Sequence, residues 1–142
     1  MGKLIQRLRD AKRSGVYRAA RADEVLDAVR GSSHRVARIA LAGVGDKTEL
    51  LVRVARGLEF PDWFGGNWDA LEDCLTDLSW LEADGYVLLI DAAGGLGADD
   101  FGVFADVLSS SAQYWAGRGR PFFAVFVQGP ASLPPLMREK AA

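Results

Sequence analysis

Two uninterrupted apolar runs constrain the fold of this chain more than any other feature. They are YVLLID at 86–91 and FFAVFV at 122–127. A strand with one face in water alternates apolar and polar residues, whereas a strand covered on both faces is apolar throughout. The segment from Phe101 to about Gly117, which has helical apolar spacing, lies between the two runs. Because a helix that joins two buried strands is the usual crossover of a parallel sheet, we predict an α/β fold with helices packed on a mainly parallel sheet.

Weaker patterns complete the predicted order of elements. Further strands are predicted at 35–42 and, as a possible extra edge strand, at 15–19; further helices are predicted at 3–13, 21–30, 46–57 and 67–78. Asp46 and Asn67 are predicted N-caps, because their short polar side chains accept hydrogen bonds from the first helical turn. Gly57 is predicted to end the helix that Asp46 begins. The N-terminal basic helix has two interpretations, a loosely attached arm or a solvated terminal helix.

Length, cysteine content and hydropathy limit the class of protein. A chain of 142 residues favours one domain. Its single cysteine, Cys74, excludes an intramolecular disulfide and is compatible with a reducing cytosol, so a cytoplasmic location is expected. We expect neither a membrane span nor a secretory signal, because no apolar run approaches about 18 residues and the N-terminus lacks an apolar core.

The charges are segregated along the chain. Residues 1–56 hold 13 Lys and Arg against 6 Asp and Glu, whereas residues 57–117 hold 12 Asp and Glu and no Lys or Arg. Residues 118–142 hold 4 basic residues and 1 acidic residue. A segment this acidic favours a basic partner and disfavours nucleic-acid binding by that half of the chain.

The densest pattern lies at 60–80, where a loop rich in aromatic residues and glycine leads into an acidic helix. Asp69, Asp73 and Asp77 are spaced as one helical stripe, which Glu72 widens. The opposite face is apolar and is formed by Leu71, Cys74, Leu75 and Leu78. Like charges four residues apart destabilise a helix by about 0.2–0.5 kcal/mol per pair, so an interaction surface and an ordinary solvated acidic face are the two interpretations.

No pattern in the sequence indicates catalysis. One histidine, His34, and one cysteine cannot form a zinc site, and we expect His34 to be an ordinary surface residue. The turn GVGDKT lacks the spacing of a phosphate-binding loop. Carboxylates along one helix face do not converge on a substrate as those of a cleft would. We therefore expect no enzymatic activity, no metal and no cofactor.

The stretch PDWFGGNWDALEDCLTD within residues 58–80 resembles the barstar family of ribonuclease inhibitors. The loop, the helix cap, the acids and the buried face agree in register with the family pattern. The resemblance covers 35–128 and implies a barstar-like domain with a three-stranded, mainly parallel sheet. It leaves 1–34 as an N-terminal extension and 129–142 as a C-terminal tail, as in longer bacterial barstar-like proteins.

The resemblance implies a cytoplasmic immunity or antitoxin-like protein that blocks the basic active site of a barnase-type ribonuclease. Asp73 would be the main anchor in place of the substrate phosphate, and Asp69 would make a second charged contact. Trp63 would pack against the enzyme. The full set of expected partner-binding residues is Asp69, Asp73, Trp63, Phe64, Gly65, Asn67, Trp68, Glu72, Thr76 and Asp77.

The sequence departs from the family pattern at three places that bear on partner choice. Glu72 and Leu78 stand where the family has aromatic residues. Gln113, Tyr114 and, further on, Arg118 stand where the family places an additional acidic contact. An acidic interaction module of the same fold with a non-nuclease partner is therefore the alternative function, and an enzyme that uses the acid pair is a third.

Overall fold

A computed structural model describes residues 2–137 and contains one sheet of four parallel strands. The strands are β1 (Gly15–Ala19), β2 (His34–Ala40), β3 (Gly85–Asp91) and β4 (Phe122–Val127), in the spatial order β1-β4-β3-β2. The predicted parallel sheet is confirmed. The sheet has four strands rather than the three of the family pattern, because β1 pairs with β4 from Gly15 opposite Phe123 to Ala19 opposite Val127.

The two apolar runs form the centre of the sheet, as predicted. The first six residues of β3 and the first five of β4 are buried. Val87 of β3 lies between Val36 of β2 and Phe123 of β4, which fixes the register of the three strands. Strand β2 is an edge strand, and from Ala37 to Ala40 its residues alternate between buried and exposed positions.

Five α-helices of residues 2–137 cover the sheet. They are α1 (Lys3–Leu8), α2 (Ala22–Val29), α3 (Lys47–Gly57), α4 (Trp68–Leu75) and α5 (Ala98–Gly117). The predicted helix at 3–13 is wrong in length, because Asp10 accepts a hydrogen bond from the backbone of Lys12 and begins a separate short turn at Ala11–Arg13. Within the described residues, no helix is long and apolar enough to cross a bilayer.

The sheet has a core on each face, which makes three layers. On one face, α3, α4 and α5 pack against alternate strand residues such as Leu88 and Ile90. On the other face, α1 and α2 pack against Val87, Leu89 and Phe123. Residues before the predicted boundary at 34 therefore contact the rest of the chain directly, and α1 is not a loose arm.

The first part of the predicted C-terminal tail lies along the outer edge of β1. Arg18 donates its backbone N–H to the carbonyl of Pro134 at 2.9 Å, and its carbonyl accepts a bond from Leu136 at 2.8 Å. Leu136 is buried in the core beneath α1 and α2. The tail residues 138–142 lie outside the described residues.

His34 is not the ordinary surface residue that its neighbouring loop suggested. It is half-buried, and its Nε2 lies 2.8 Å from the carbonyl oxygen of Leu8, an arrangement in which Nε2–H is the donor. The ring lies close over Gly85, where a Cβ atom would come within 2.7 Å of Nε2. The expectation was wrong because β2 begins at His34 itself, so its side chain joins the end of α1 to the start of the sheet.

Gly57 is needed at the end of α3 for a close approach to the sheet. A Cβ at this position would lie 3.0 Å from both the carbonyl oxygen of Arg38 and Cγ1 of Ile39. We expect Gly57→Ala to lower the free energy of unfolding by about 1–3 kcal/mol in urea denaturation. The backbone of β2 that the new Cβ would meet cannot move away without shifting the strand. Gly102→Ala on α5 is the matched control: its Cβ meets nothing within 4 Å, and a gain of about 0.5–1 kcal/mol is expected. Equal effects of the two substitutions would contradict the prediction.

Candidate protein-interaction site

An aromatic cluster holds the loop between α3 and α4. Phe60 contacts Phe64 and Trp80 at ring-centroid distances of 4.9 and 5.9 Å, both edge to face. The indole Nε1–H of Trp80 donates to the carbonyl of Leu58 at 2.9 Å. Trp63 lies on the outside of this cluster, 6.1 Å from Trp80 and 60% exposed. The aromatic cluster therefore packs against the inner side of the loop and leaves the indole ring of Trp63 exposed to solvent.

The loop enters α4 through a glycine turn and a capped first turn. Gly66 has a left-handed φ of +72°, which a side chain would strain. Asn67 follows it, and its side-chain oxygen accepts a hydrogen bond from the backbone N–H of Ala70 at 2.7 Å. The predicted N-cap is thus confirmed. On its inner face α4 buries Leu71, Cys74 and Leu75, as the apolar spacing predicted.

The carboxylates of Asp69, Glu72 and Asp73 are exposed on the outer face of α4. Within residues 2–137, no lysine or arginine forms an ion pair with any of these three carboxylates. Other acids of the cation-free segment 57–117 do find partners: Glu59 pairs with Arg35 at 3.0 Å and Asp91 with Arg38 at 2.7 Å. The tertiary structure thus neutralises part of the acidic segment and leaves the α4 acids available.

The acidic stripe is shorter than predicted, because α4 ends at Leu75 rather than near Leu78. The Thr76 hydroxyl donates to the carbonyl of Glu72 at 2.8 Å and closes the last turn. Leu78 then adopts a left-handed conformation with φ 49°, which places its fully buried side chain in the core. Asp77 is exposed but lies beyond the helix, so it does not continue the line of Asp69 and Asp73.

Trp115 of α5 holds the C-terminal end of α4. Its indole Nε1–H donates to the carbonyl of Leu75 at 2.8 Å, and the ring is 7% exposed. No local pattern indicated this hydrogen bond, because it joins residues 40 positions apart. Asn67 caps one end of α4 and Trp115 bonds to the other, so both ends of the helix are held in the platform that α4 forms with the loop 58–67.

The ten predicted site residues lie on this loop, on α4 and directly after α4, but their surroundings differ. Seven are exposed: Trp63, Gly65, Asn67, Asp69, Glu72, Asp73 and Asp77. Three are half-buried: Phe64, Trp68 and Thr76. Phe64 and Trp68 pack against the core and support the loop from within. Among residues 2–137 no three His, Cys, Asp or Glu side chains are grouped to hold a metal ion.

Cys74 lies beneath the acidic face, and its thiol makes the stability of the folded protein depend on pH. Burial, aided by the carboxylates of Asp77 and Asp73, raises the pKa of its thiol from 9.0 to about 11. The folded state therefore retains the proton more tightly than the unfolded chain. The protein keeps this stabilisation in full below about pH 9. As the pH rises to about 11, the free energy of unfolding falls by up to about 1.4 kcal/mol per pH unit.

We expect wild type to lose stability faster than Cys74→Ala between pH 9 and 11 in urea denaturation. Burial also raises the pKa of Tyr86, in the same direction, but this tyrosine is present in both proteins. The difference between wild type and variant therefore isolates the thiol. Parallel pH profiles of the two proteins would show that Cys74 titrates as it does in the unfolded chain.

Comparison with known proteins agrees with the sequence motif and the geometry. The sequence model of the family described as Barstar (barnase inhibitor) matches residues 34–127, about two thirds of the chain. The match includes β2, β3, β4, the aromatic loop and the acidic helix, and it begins where β2 begins. No curated protein sequence matches the chain. The protein carrying this rigid acidic loop and helix on a parallel sheet is therefore a member of the barstar family.

Proposed function

We propose that this protein inhibits a barnase-type ribonuclease by covering its active site with the loop 58–67 and α4. The family to which the chain belongs is that of a barnase inhibitor. The observation that carries the proposal for this chain is the set of exposed carboxylates on α4, which pair with no cation of residues 2–137, next to the exposed ring of Trp63. The protein would act by occlusion, without a reaction or a cofactor.

Charge complementarity supplies the chemistry of recognition. A ribonuclease binds the phosphates of RNA with cationic side chains, and a carboxylate held in a fixed position can replace a phosphate among them. In the proposed complex Asp73 is the anchor, Asp69 makes the second charged contact, and Trp63 packs against the enzyme. Glu72, between the two aspartates, adds a third negative charge to the same surface.

The rigidity of the platform supports tight binding. Binding costs free energy whenever side chains and loops must become ordered, and a surface that is ordered beforehand avoids that cost. Here the loop is held by Trp80 and the helix ends are held by Asn67 and Trp115. Cations of a partner relieve the local repulsion between Asp69 and Asp73, which favours the complex over the free protein.

A titration of the protein into a barnase-type ribonuclease assay, at low and at high salt, tests the proposal. We expect stoichiometric inhibition and a one-to-one complex in size-exclusion chromatography. Association should slow as salt rises, because the acidic face attracts the basic enzyme over long range. A ribonuclease of unrelated fold is the control and should be unaffected. Full activity across a panel of barnase-type enzymes at excess protein would contradict the proposal.

The alternative is an acidic interaction module whose partner is not a nuclease. Glu72 favours it, because a charged side chain stands where the family has an aromatic one. A basic protein that binds α4 in a salt-dependent manner while ribonuclease activity persists would support this alternative. We further propose a bacterial, cytoplasmic setting, in which an immunity protein or antitoxin protects the cell from its own nuclease.

A further inference from the structure

We propose that Arg118, stacked on Tyr114 at the C-terminal end of α5, is a specificity-determining residue of the partner-binding surface. It would select a ribonuclease that places an acidic side chain opposite it and reject one that places a cation there. The inference rests on the proposed inhibitor function and adds a feature of the partner: a carboxylate beside its basic active site.

The position of the pair follows from the contact between α5 and α4. Trp115 bonds to the carbonyl of Leu75 at the last turn of α4. Tyr114 precedes Trp115 in the chain, and Arg118 follows Tyr114 by four residues, so the two side chains share one face of the helix end. The pair therefore belongs to the end of α5 that contacts the last turn of α4.

The geometry of the pair leaves its charge available to a partner. The guanidinium carbon of Arg118 lies 4.5 Å from the centre of the Tyr114 ring, and that ring is 38% exposed. Within residues 2–137, no carboxylate pairs with Arg118. Arg120 differs: it is half-buried, and its guanidinium carbon lies over the ring of Trp115, 5.7 Å from the ring centre.

The helix dipole explains only part of this arrangement. A cation is favoured at a helix C-terminus, and Arg118 is the C-cap of α5. The dipole does not explain why an exposed tyrosine lies beneath the guanidinium. Without Arg118, water would contact that large apolar ring. A guanidinium placed over an aromatic ring still has five N–H donors, a number and geometry suited to a carboxylate on another protein.

Arg118 can discriminate between partners because it is a cation beside an acidic surface. Segment 57–117, which supplies the whole proposed platform, contains no lysine or arginine, and Arg118 is the first cation after it. A basic ribonuclease that approaches the α4 acids brings further cations to the rim of its active site. Arg118 repels any of them that lies opposite, whereas an acid there forms a charge-assisted bond, and specificity arises from both effects.

The test uses the barnase-type ribonuclease that wild type inhibits most tightly in a panel of such enzymes. Inhibition constants are measured for Arg118→Glu, Arg118→Gln and Arg9→Glu at low and high salt. Arg9 is an exposed C-cap of α1, on the face of the sheet opposite α4, so Arg9→Glu makes the same change in net charge away from the proposed contact. We expect Arg118→Glu to weaken inhibition about tenfold or more at low salt and less at high salt. Arg118→Gln should weaken it by less, and Arg9→Glu should leave it unchanged.

The outcomes separate this inference from the function on which it depends. If Asp73→Ala abolishes inhibition but Arg118→Glu inhibits as well as wild type or better, the inhibitor function stands and the specificity role of Arg118 is overturned. If wild type inhibits no enzyme of the panel, both proposals fail. A loss caused by Arg118→Glu that Arg9→Glu reproduces is an effect of net charge and also overturns the inference. Circular dichroism of each variant confirms that it is folded.

Discussion

Asp73→Ala is expected to weaken inhibition of the ribonuclease by about 100- to 3,000-fold, which corresponds to about 3–5 kcal/mol. In the proposed complex its carboxylate is buried among the cations that normally hold a phosphate. Removing one partner of a buried charge pair leaves the other charges without compensation, and this accounts for most of the loss. The inhibition constant from a steady-state titration is the measurement.

The same substitution should leave the free protein at least as stable as wild type. Asp73 repels Asp69 four residues before it, lies in the half of α4 where the helix dipole disfavours an anion, and forms no ion pair within the described chain. Alanine is also the better helix former. An unchanged or slightly raised midpoint in thermal unfolding therefore distinguishes a binding residue from a structural one.

Asp106→Ala is the matched control for Asp73→Ala. Asp106 is also an exposed aspartate on a helix, but it lies on α5 outside the proposed surface. Its loss should change the inhibition constant about threefold or less, because an exposed charge without a close partner contributes little. Comparable losses for the two variants would show that only the overall negative charge matters, and the anchoring role of Asp73 would be rejected.

A chain shortened to begin at His34 is expected to fail to form a soluble, native monomer, although the family match begins at that residue. The deletion removes β1, α1 and α2. It uncovers the fully buried strand residues Val87, Leu89, Phe123 and Val125. Exposing each of them costs about 1.5–3 kcal/mol, and the sum approaches the whole stability of a typical domain.

The deletion also frees the edge of β4, which would then present unpaired backbone groups beside an apolar face and promote aggregation. Size-exclusion chromatography and binding of a hydrophobic dye measure the outcome. A shortened chain that is monomeric, folded and inhibitory would support the predicted boundary at 34 as that of an independent domain.

Two point variants test the contribution of α1 within the full chain. Leu8→Ala, at a fully buried position, should lower the free energy of unfolding by about 2–5 kcal/mol, whereas Arg9→Ala at the exposed neighbouring position should change it little.

Local patterns were sufficient for the central strands and the helix caps. Burial on both faces requires continuous apolar residues, so β3 and β4 were readable directly from 86–91 and 122–127. Capping depends on hydrogen bonds over three residues, so Asp46 and Asn67 were identified correctly. The exposure of Asp69 and Asp73 followed from the opposite, apolar face of their own helix.

Contacts between distant parts of the chain decided what local patterns did not. The ion pairs of Glu59 with Arg35 and of Asp91 with Arg38 join residues 24 and 53 positions apart, so the acidic segment could not be recognised as partly neutralised. The end of α4 at Leu75 depends on the burial of Leu78 and on a bond from Trp115, and no glycine marked it.

The sequence by itself therefore determined the parallel α/β class, the buried strands and the exposed acids of α4, since each depends on spacing within one element. Only the tertiary structure decided that β1 is a fourth strand, that His34 bonds to α1, and which carboxylates remain unpaired. Each of these depends on which distant segments meet across the sheet, and the free energy of such contacts depends on packing partners that lie outside any local window of the chain.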